Sequence, residues 1–508
     1  MADPLFANTA NLDFHLLSPA GYVSNGVWVT NAAVGYSPAI DFGTRTSTAW
    51  TNEPAPNGGR VNVGLYGGTA EASKSRSGPW VFALSFNDGG NLIQTGRLEW
   101  VASTNLTGAN VALEYTTNRW ATTSTIATVP ATNESYTWVP ASSHPSVLWR
   151  VRDPISGFAS TNAKAFSLRA TTNATFTFYV NDASTNNDVY CTAAGSTMNS
   201  GVSSNSPLAD LQALLTAYDL EGGDTVVVDT GTYILSNTVR VSQFDSGAEG
   251  RPVRIMGSPK GVTFNRGSTS ADVLDISGAS YLEIENLRLM GGASGIAGGG
   301  STAVTLRNMQ FVDNRRGINL LGASVRTVFE RCLAANNTDY GYYDISAASS
   351  SNQWNNGVIW GSTTLLHVRT NALSVSNSIL GQATALFAFQ VPPGNYNVVW
   401  ATGVGLQYNT FTELQSAGLG WDRSVFANPL FANAAQGDFH VRSTTGRYDT
   451  NLLGFVSTDT NYSAAIDVGD PAAAVGDEPS PNGGRLNAGL YGGTAQARRA
   501  GRMPGCRR

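Results

Sequence analysis

Five residues in the middle of the chain, Asn286, Asn308, Arg331, Asn356 and Asn377, follow one another at intervals of 22, 23, 25 and 21 positions. Each holds the same place in the same local pattern. The segments LEIENLRLMGG, VTLRNMQFVDN, VFERCLAANN, QWNNGVIWGS and LSVSNSILGQ superimpose as a two-residue alternation, a polar bend residue and a second short strand. Alternation of period two marks a strand with one buried face, and turn-forming residues at a fixed interval mark repeated corners. A repeat near 22 residues with one such corner per turn defines the coil of a parallel β-helix. The register predicts that Leu287 and Leu289, Met309 and Phe311, Cys332 and Ala334, and Gly357 and Ile359 point inward. Asn side chains stacked at the bend can hydrogen-bond from coil to coil. A second column is marked by Gly295-Ile296, Gly317-Ile318 and Gly341-Tyr342.

A longer period contains the short one. PNGGRVNVGLYGGTA at 56–70 returns as PNGGRLNAGLYGGTA at 481–495, an offset of 425 residues. PLFAN followed by DFH, at 4–8 and 13–15, returns at 429–433 and 438–440, and SPAIDFG at 37–43 returns as SAAIDVG at 463–469. Three blocks in one order at one offset divide the chain. Residues 1–74 read as the C-terminal end of one unit and 75–498 as the next, with the end motif at 425–498. The tail 499–508 matches nothing earlier and reads as a truncated or frame-shifted end.

Within the second unit, 75–175 reads as a β-sandwich. Alternating runs at 80–86, 97–102, 110–116, 135–139, 147–153 and 165–169 lie between turn residues at the density of an immunoglobulin or fibronectin type III fold. Trp100, Trp138 and Trp149 fall inside these runs and read as core, with a sugar-stacking platform as the lesser alternative. A polar entry segment precedes the one strong helical pattern, 206–220, which carries Leu208, Leu211, Leu214 and Leu215 with Ser206 as N-cap. A helix there would cover the open end of the strand array that fills 176–498. The fold class is therefore all-β, a right-handed parallel β-helix with an N-terminal capping helix, preceded by a sandwich.

Composition agrees. Charged residues are 13% of the chain, the net charge is −5, and only Lys74, Lys164 and Lys260 are lysines. No basic patch with interleaved aromatics is present, which argues against nucleic acid. No apolar run reaches the length of a membrane span. Cys191, Cys332 and Cys506 form neither a disulfide framework nor a metal spacing, and Cys332 reads as a small core residue.

The entry motif YVNDASTNNDVYCTAAG with GDTVVVDTGTY, and the closing motifs NPLF, GDFH, SAAIDVG, PNGGR and GLYGGT, resemble bacterial surface proteins of the right-handed parallel β-helix, pectin-lyase-like family. The resemblance covers about 178–498, with 1–74 as a second copy of the end. It implies secretion to the cell surface, a modular build and a polysaccharide or cell-surface glycan as partner. It does not imply one activity. Lyases of this fold need a base and a means of neutralising a uronate carboxylate, often calcium held by acids. The nearest candidate set here is Asp313, Arg315, Arg316, Asp339 and His367, with Asp344 nearby in sequence. Asp339 stands 24 residues after Arg315, one coil on, so the two should stack. A surface ion pair is the competing reading. Of the segments typical of polygalacturonase-type hydrolases, only Asn337-Thr338-Asp339 is present. Asp41, Glu53 and Asn57 recur as Asp467, Glu478 and Asn482, which points to a structural cap, with a bound calcium as the alternative and no other cofactor expected. The leading expectation is a non-catalytic, glycan-binding, adhesin-like surface protein. The rival is a polysaccharide lyase or hydrolase.

Overall fold

A computed structural model describes residues 3–106, 108–346, 350–369, 372–405 and 408–498. The 499–508 tail and Cys506 lie outside the described residues. The chain forms two compact units, residues 1–174 with 216–219, and 175–215 with 220–508.

In the first unit two sheets share one core. One sheet orders Ser135–Trp138, Gly96–Ala102 and Val81–Ala83. The other orders Asn91–Ile93, Phe166–Arg169, His144–Arg152, Asn110–Thr116 and Ser124–Pro130, with Ala159–Thr161 also on His144–Arg152. Inward residues of both, among them Leu98, Leu113, Val147 and Phe166, pack together, as alternation requires. Trp100, Trp138 and Trp149 are buried in that core. The indole N–H groups of Trp100 and Trp149 donate to the carbonyls of Ala131 (3.2 Å) and Ser85 (2.9 Å). These rings present no face to solvent, which removes the sugar-platform alternative. Glu114 lies opposite Arg150 in register and also accepts from Arg152 at 2.7 Å.

In the second unit the strands stack in parallel into three faces, and the unit is a parallel β-helix. The first face holds nine strands, from Thr177–Val180 to Gly394–Asn395. The second also holds nine, from Gly231–Ile234 to Val425–Phe426, and the third seven, from Val239–Arg240 to Ala385–Phe389. The predicted corner residues are the turns between the first and second faces. Asn286, Asn308, Arg331, Asn356 and Asn377 all adopt left-handed backbone, with φ between 51° and 61°. That conformation costs least for Gly and Asn, so the corner reads as asparagine in four coils of five. One of the expected side-chain rungs is formed, from Asn308 Nδ2 to Asn286 Oδ1 at 3.2 Å. The predicted inward residues Leu287, Leu289, Met309, Phe311, Cys332, Ala334 and Ile359 are buried. Ile296, Ile318, Tyr342, Leu366 and Phe387 align along the third face.

The helix is shorter than its sequence pattern. It spans Leu211–Ala217, and Ser206 is not its cap. Leu208 bridges to Val180 with bonds in both directions (2.9 and 3.0 Å), so 206–210 extends the first face. The Asp210 carboxylate then accepts the N–H of Ala213 at 2.7 Å. Gln212 takes the N–H of Arg240, in the opening strand of the third face, at 2.7 Å.

The end motif does not close the last coil. It folds back along the outside of the second face. There Leu333, Ala335, Val358, Trp360, Ile379 and Val398 form one apolar cluster with Phe431, Phe439, Val441, Ile466 and Ala488. Strands such as Val358–Trp360 and Ile379–Gly381 are buried at every position, which is why they read as unbroken apolar runs.

Candidate functional site

The predicted site residues lie around the corner between the second and third faces. Asp313 occupies a second left-handed column there, with Asn336 and Gln382 (φ 52–56°), and is first of all a turn residue. Its carboxylate faces Arg288 at 3.6 Å. The next residue, Asn314, turns inward and accepts the N–H of Gly292 (2.9 Å), while Asn337 accepts that of Asn314 (3.1 Å). This buried ladder escaped the sequence reading because both asparagines follow a more conspicuous corner residue. Arg315 and Asp339 stack as predicted, with Nε to Oδ2 at 2.8 Å, and both are exposed (51% and 41%).

Arg316 and His367 belong to a ladder on the third face. The Arg316 guanidinium lies 4.3 Å from the Tyr343 ring centre, Tyr343 stacks on His367 at 4.6 Å, and His367 stacks on Phe389 at 5.4 Å. Burial, with Arg316 nearby, holds the His367 imidazole below its ordinary pKa. Asp344 is not on this surface. It is buried, its pKa raised by that burial, and it accepts from Asn352 (2.9 Å), the Ser346 N–H (2.9 Å) and Tyr342 (3.1 Å). The sequence set therefore divides into two ion pairs, one stacked ladder and one interior carboxylate.

The concave surface is elsewhere. Past the edge of the end motif, the outward residues of the second face turn polar, and a cleft of about 590 Å³ opens between them and the motif. It is lined by Arg288, Asn286, Asn308, Gln310 and Arg331, faced by Tyr491 and Thr494. Arg288 is shared with Asp313, and Arg331 reaches Glu330 at 3.0 Å. The sequence gave the corner column a structural reading alone. The signal for the cleft was the change from Thr263, Arg288 and Gln310 to Leu333, Val358 and Ile379 at equivalent outward positions.

The recurring acids are internal to each end motif. Glu53 accepts the N–H groups of Asn62 and Gly68 (2.8 and 2.7 Å), and Glu478 those of Asn487 and Gly493 (both 2.8 Å). Burial pushes Asp467 up to about 6 and Glu478 up to about 7, the latter also because Asp467 is near. Among the described residues no group of three or more His, Cys, Asp or Glu is placed to hold a metal ion. Cys191 and Cys332 are buried, and burial pushes both thiols up to about 12. No described helix is long and apolar enough to cross a membrane.

The fold and surface thus define an all-β protein whose larger unit is a parallel β-helix, with a polar cleft on its outer wall. No protein-family model and no curated protein matches the sequence. Among solved structures, similarity is found to an alginate lyase from Paenibacillus sp. str. FPU-7, at 16% identity and a TM-score of 0.25, over 36% of this chain and 86% of that one. It is also found to the pectate lyase Pel3 from Pectobacterium carotovorum, at 13% identity and a TM-score of 0.13, over 66% and 94%. Neither alignment assigns a role to any residue here.

Proposed function

We propose that the chain is a glycan-binding segment of a modular, extracellular surface protein, and that the ligand binds in the cleft on the second face. The observation that carries this reading is the lining of that cleft. Two guanidiniums and three amide side chains converge over a floor fixed by parallel strands, a donor set suited to sugar hydroxyls and uronate carboxylates. A hydrolytic or eliminative reading finds less support. Arg315 is held as a cation by Asp339, so it is a poor base, and Asp313 is paired with Arg288. The low charge, the recurrent end motif and the 13–16% identical lyase neighbours fit a protein that meets polysaccharide outside the cell. On the same reading the first-unit sandwich is an immunoglobulin- or fibronectin-like spacer.

Titration of the full chain with neutral and uronate-containing oligosaccharides tests the proposal. Arg288→Ala and Arg331→Ala should each weaken binding by about tenfold, the scale of a lost charged hydrogen bond, while Arg315→Ala leaves it unchanged. Binding that depends on Arg315 and not on Arg288, or formation of unsaturated uronates lost in Arg315→Ala, would overturn it.

A further inference from the structure

The two end motifs share their internal bonds, and only one of them is seated. His15 stacks on Tyr66 and His440 on Tyr491, each at 3.6 Å. Asp41 N–H donates to Asn62 Oδ1 and Asp467 N–H to Asn487 Oδ1, each at 2.8 Å. Ser37 and Ser463 donate to the carbonyls of Pro4 (2.5 Å) and Pro429 (2.6 Å). Two copies with the same internal frame present the same outer surface.

In the second copy that surface lies on the β-helix. The Gly489 and Asp470 N–H groups both donate to the corner residue Asn377, one to its carbonyl and one to its side chain, each at 2.8 Å. Gly489 approaches so closely that a Cβ there would stand 2.6 Å from Ile379 Cδ1. Ala488 is 4% exposed. In the first copy the equivalent Gly64 has nothing within 4 Å of its Cβ position, and the flanking Val63 and Leu65 are 46% and 73% exposed. An apolar face that one copy buries is left open in the other.

The geometry points to a docking face on residues 3–75 whose occupant is the apolar outer wall of a further parallel β-helix repeat, running ahead of Asp3 in the same polypeptide. Chain order selects that occupant. In the second copy the last helical strand, Val425–Phe426, leads directly into Asn428, the counterpart of Asp3. The partner wall would present a Leu, Val, Trp and Ile surface like that of Leu333, Val358, Trp360 and Ile379, with a corner carbonyl opposite Gly64. The inference is independent of any glycan.

The test adds a second copy of residues 175–427 ahead of Asp3 in the full chain and follows hydrogen exchange of the 61–66 peptide, whose sequence VNVGLY differs from the LNAGLY of 486–491. Exchange at 61–66 should slow by about tenfold or more towards the rate at 486–491, and Leu65→Asp should restore it. Unchanged exchange at 61–66 beside a folded added repeat would overturn the inference. Should the added repeat fail to fold, a full chain with 428–498 replaced by 3–73 decides. The transplanted motif then either resists proteolysis on the second face or is cleaved from an intact β-helix, and cleavage rejects the docking face.

Discussion

At the scale of single residues, the corner column is where the sequence spoke most directly. Asn356 holds φ at 53° in a coil that recurs because each corner tolerates the left-handed region. Asn356→Ala should cost about 1 kcal/mol of second-unit stability, and Asn356→Gly less than half of that, because glycine enters this region without a Cβ clash. Urea midpoints of the two variants test the ordering, and an alanine variant as stable as glycine would contradict it. A second residue-scale effect comes from the end motif. Burial raises the Glu478 carboxyl to about 7, so the folded motif holds a proton that the unfolded chain has released. Stability must therefore fall as pH rises through about 7. Buried His367, with its pKa lowered, acts in the opposite sense only below its ordinary value of about 6.5. Between about pH 6.5 and 8 the second-unit urea midpoint should thus decline, and Glu478→Gln should flatten the decline. An equal slope in wild type and variant would remove Glu478 as its source.

At the scale of elements, legibility followed chemistry. Strands with one buried face announced themselves by alternation, which is why the β-helix coils and the Gly96–Ala102 and Asn110–Thr116 strands were read in place. Ser124–Pro130 was missed because it is largely exposed, and Asn91–Ile93 because three residues carry no period. The helix was overextended because Leu208 fits a helical stripe and a strand bridge equally well, and the bridge to Val180 won. The candidate site was legible only as stacking. The 24-residue step from Arg315 to Asp339 gave their contact, but no spacing distinguishes an outward Asp313 from an inward Asp344, and the cleft depends on where a distant segment stops. The strand pair Asn110–Thr116 and His144–Arg152 carries a prediction at this scale. Glu114 joins Arg150 and Arg152, whose bonds hold its carboxyl below the usual range, so its contribution is present above about pH 4.5 and lost in acid as it protonates. Glu114→Gln should destabilise the first unit by about 2 kcal/mol at neutral pH and by less in acid. A loss that is the same at both pH values would assign the effect to shape and not to charge.

At the scale of the whole molecule, the end motif changes what kind of solenoid the second unit is. A bare β-helix is nearly one-dimensional, since each coil touches its neighbours, and such arrays fray from an end. Here Val312, Leu333, Val358, Ile379 and Val398, from five successive coils, share one cluster with Phe431, Phe439 and Ile466, so the motif ties coils that do not touch each other. Trp360 is central to that tie and meets the Phe431 ring edge-on at 4.8 Å. It points away from the helix interior, so Trp360→Ala leaves the inner core of Ile359 and its neighbours untouched. The substitution should cost about 3 kcal/mol, felt first in the docking of the motif. The expected consequence is a change in cooperativity. Wild-type second unit should lose protection at 431–441 and 333–398 together, whereas the variant should release 431–441 to protease at a urea concentration where the helical coils still resist exchange. If the variant instead loses both segments together at a lower midpoint, the motif is part of the folding core of the helix and not a clasp laid over it.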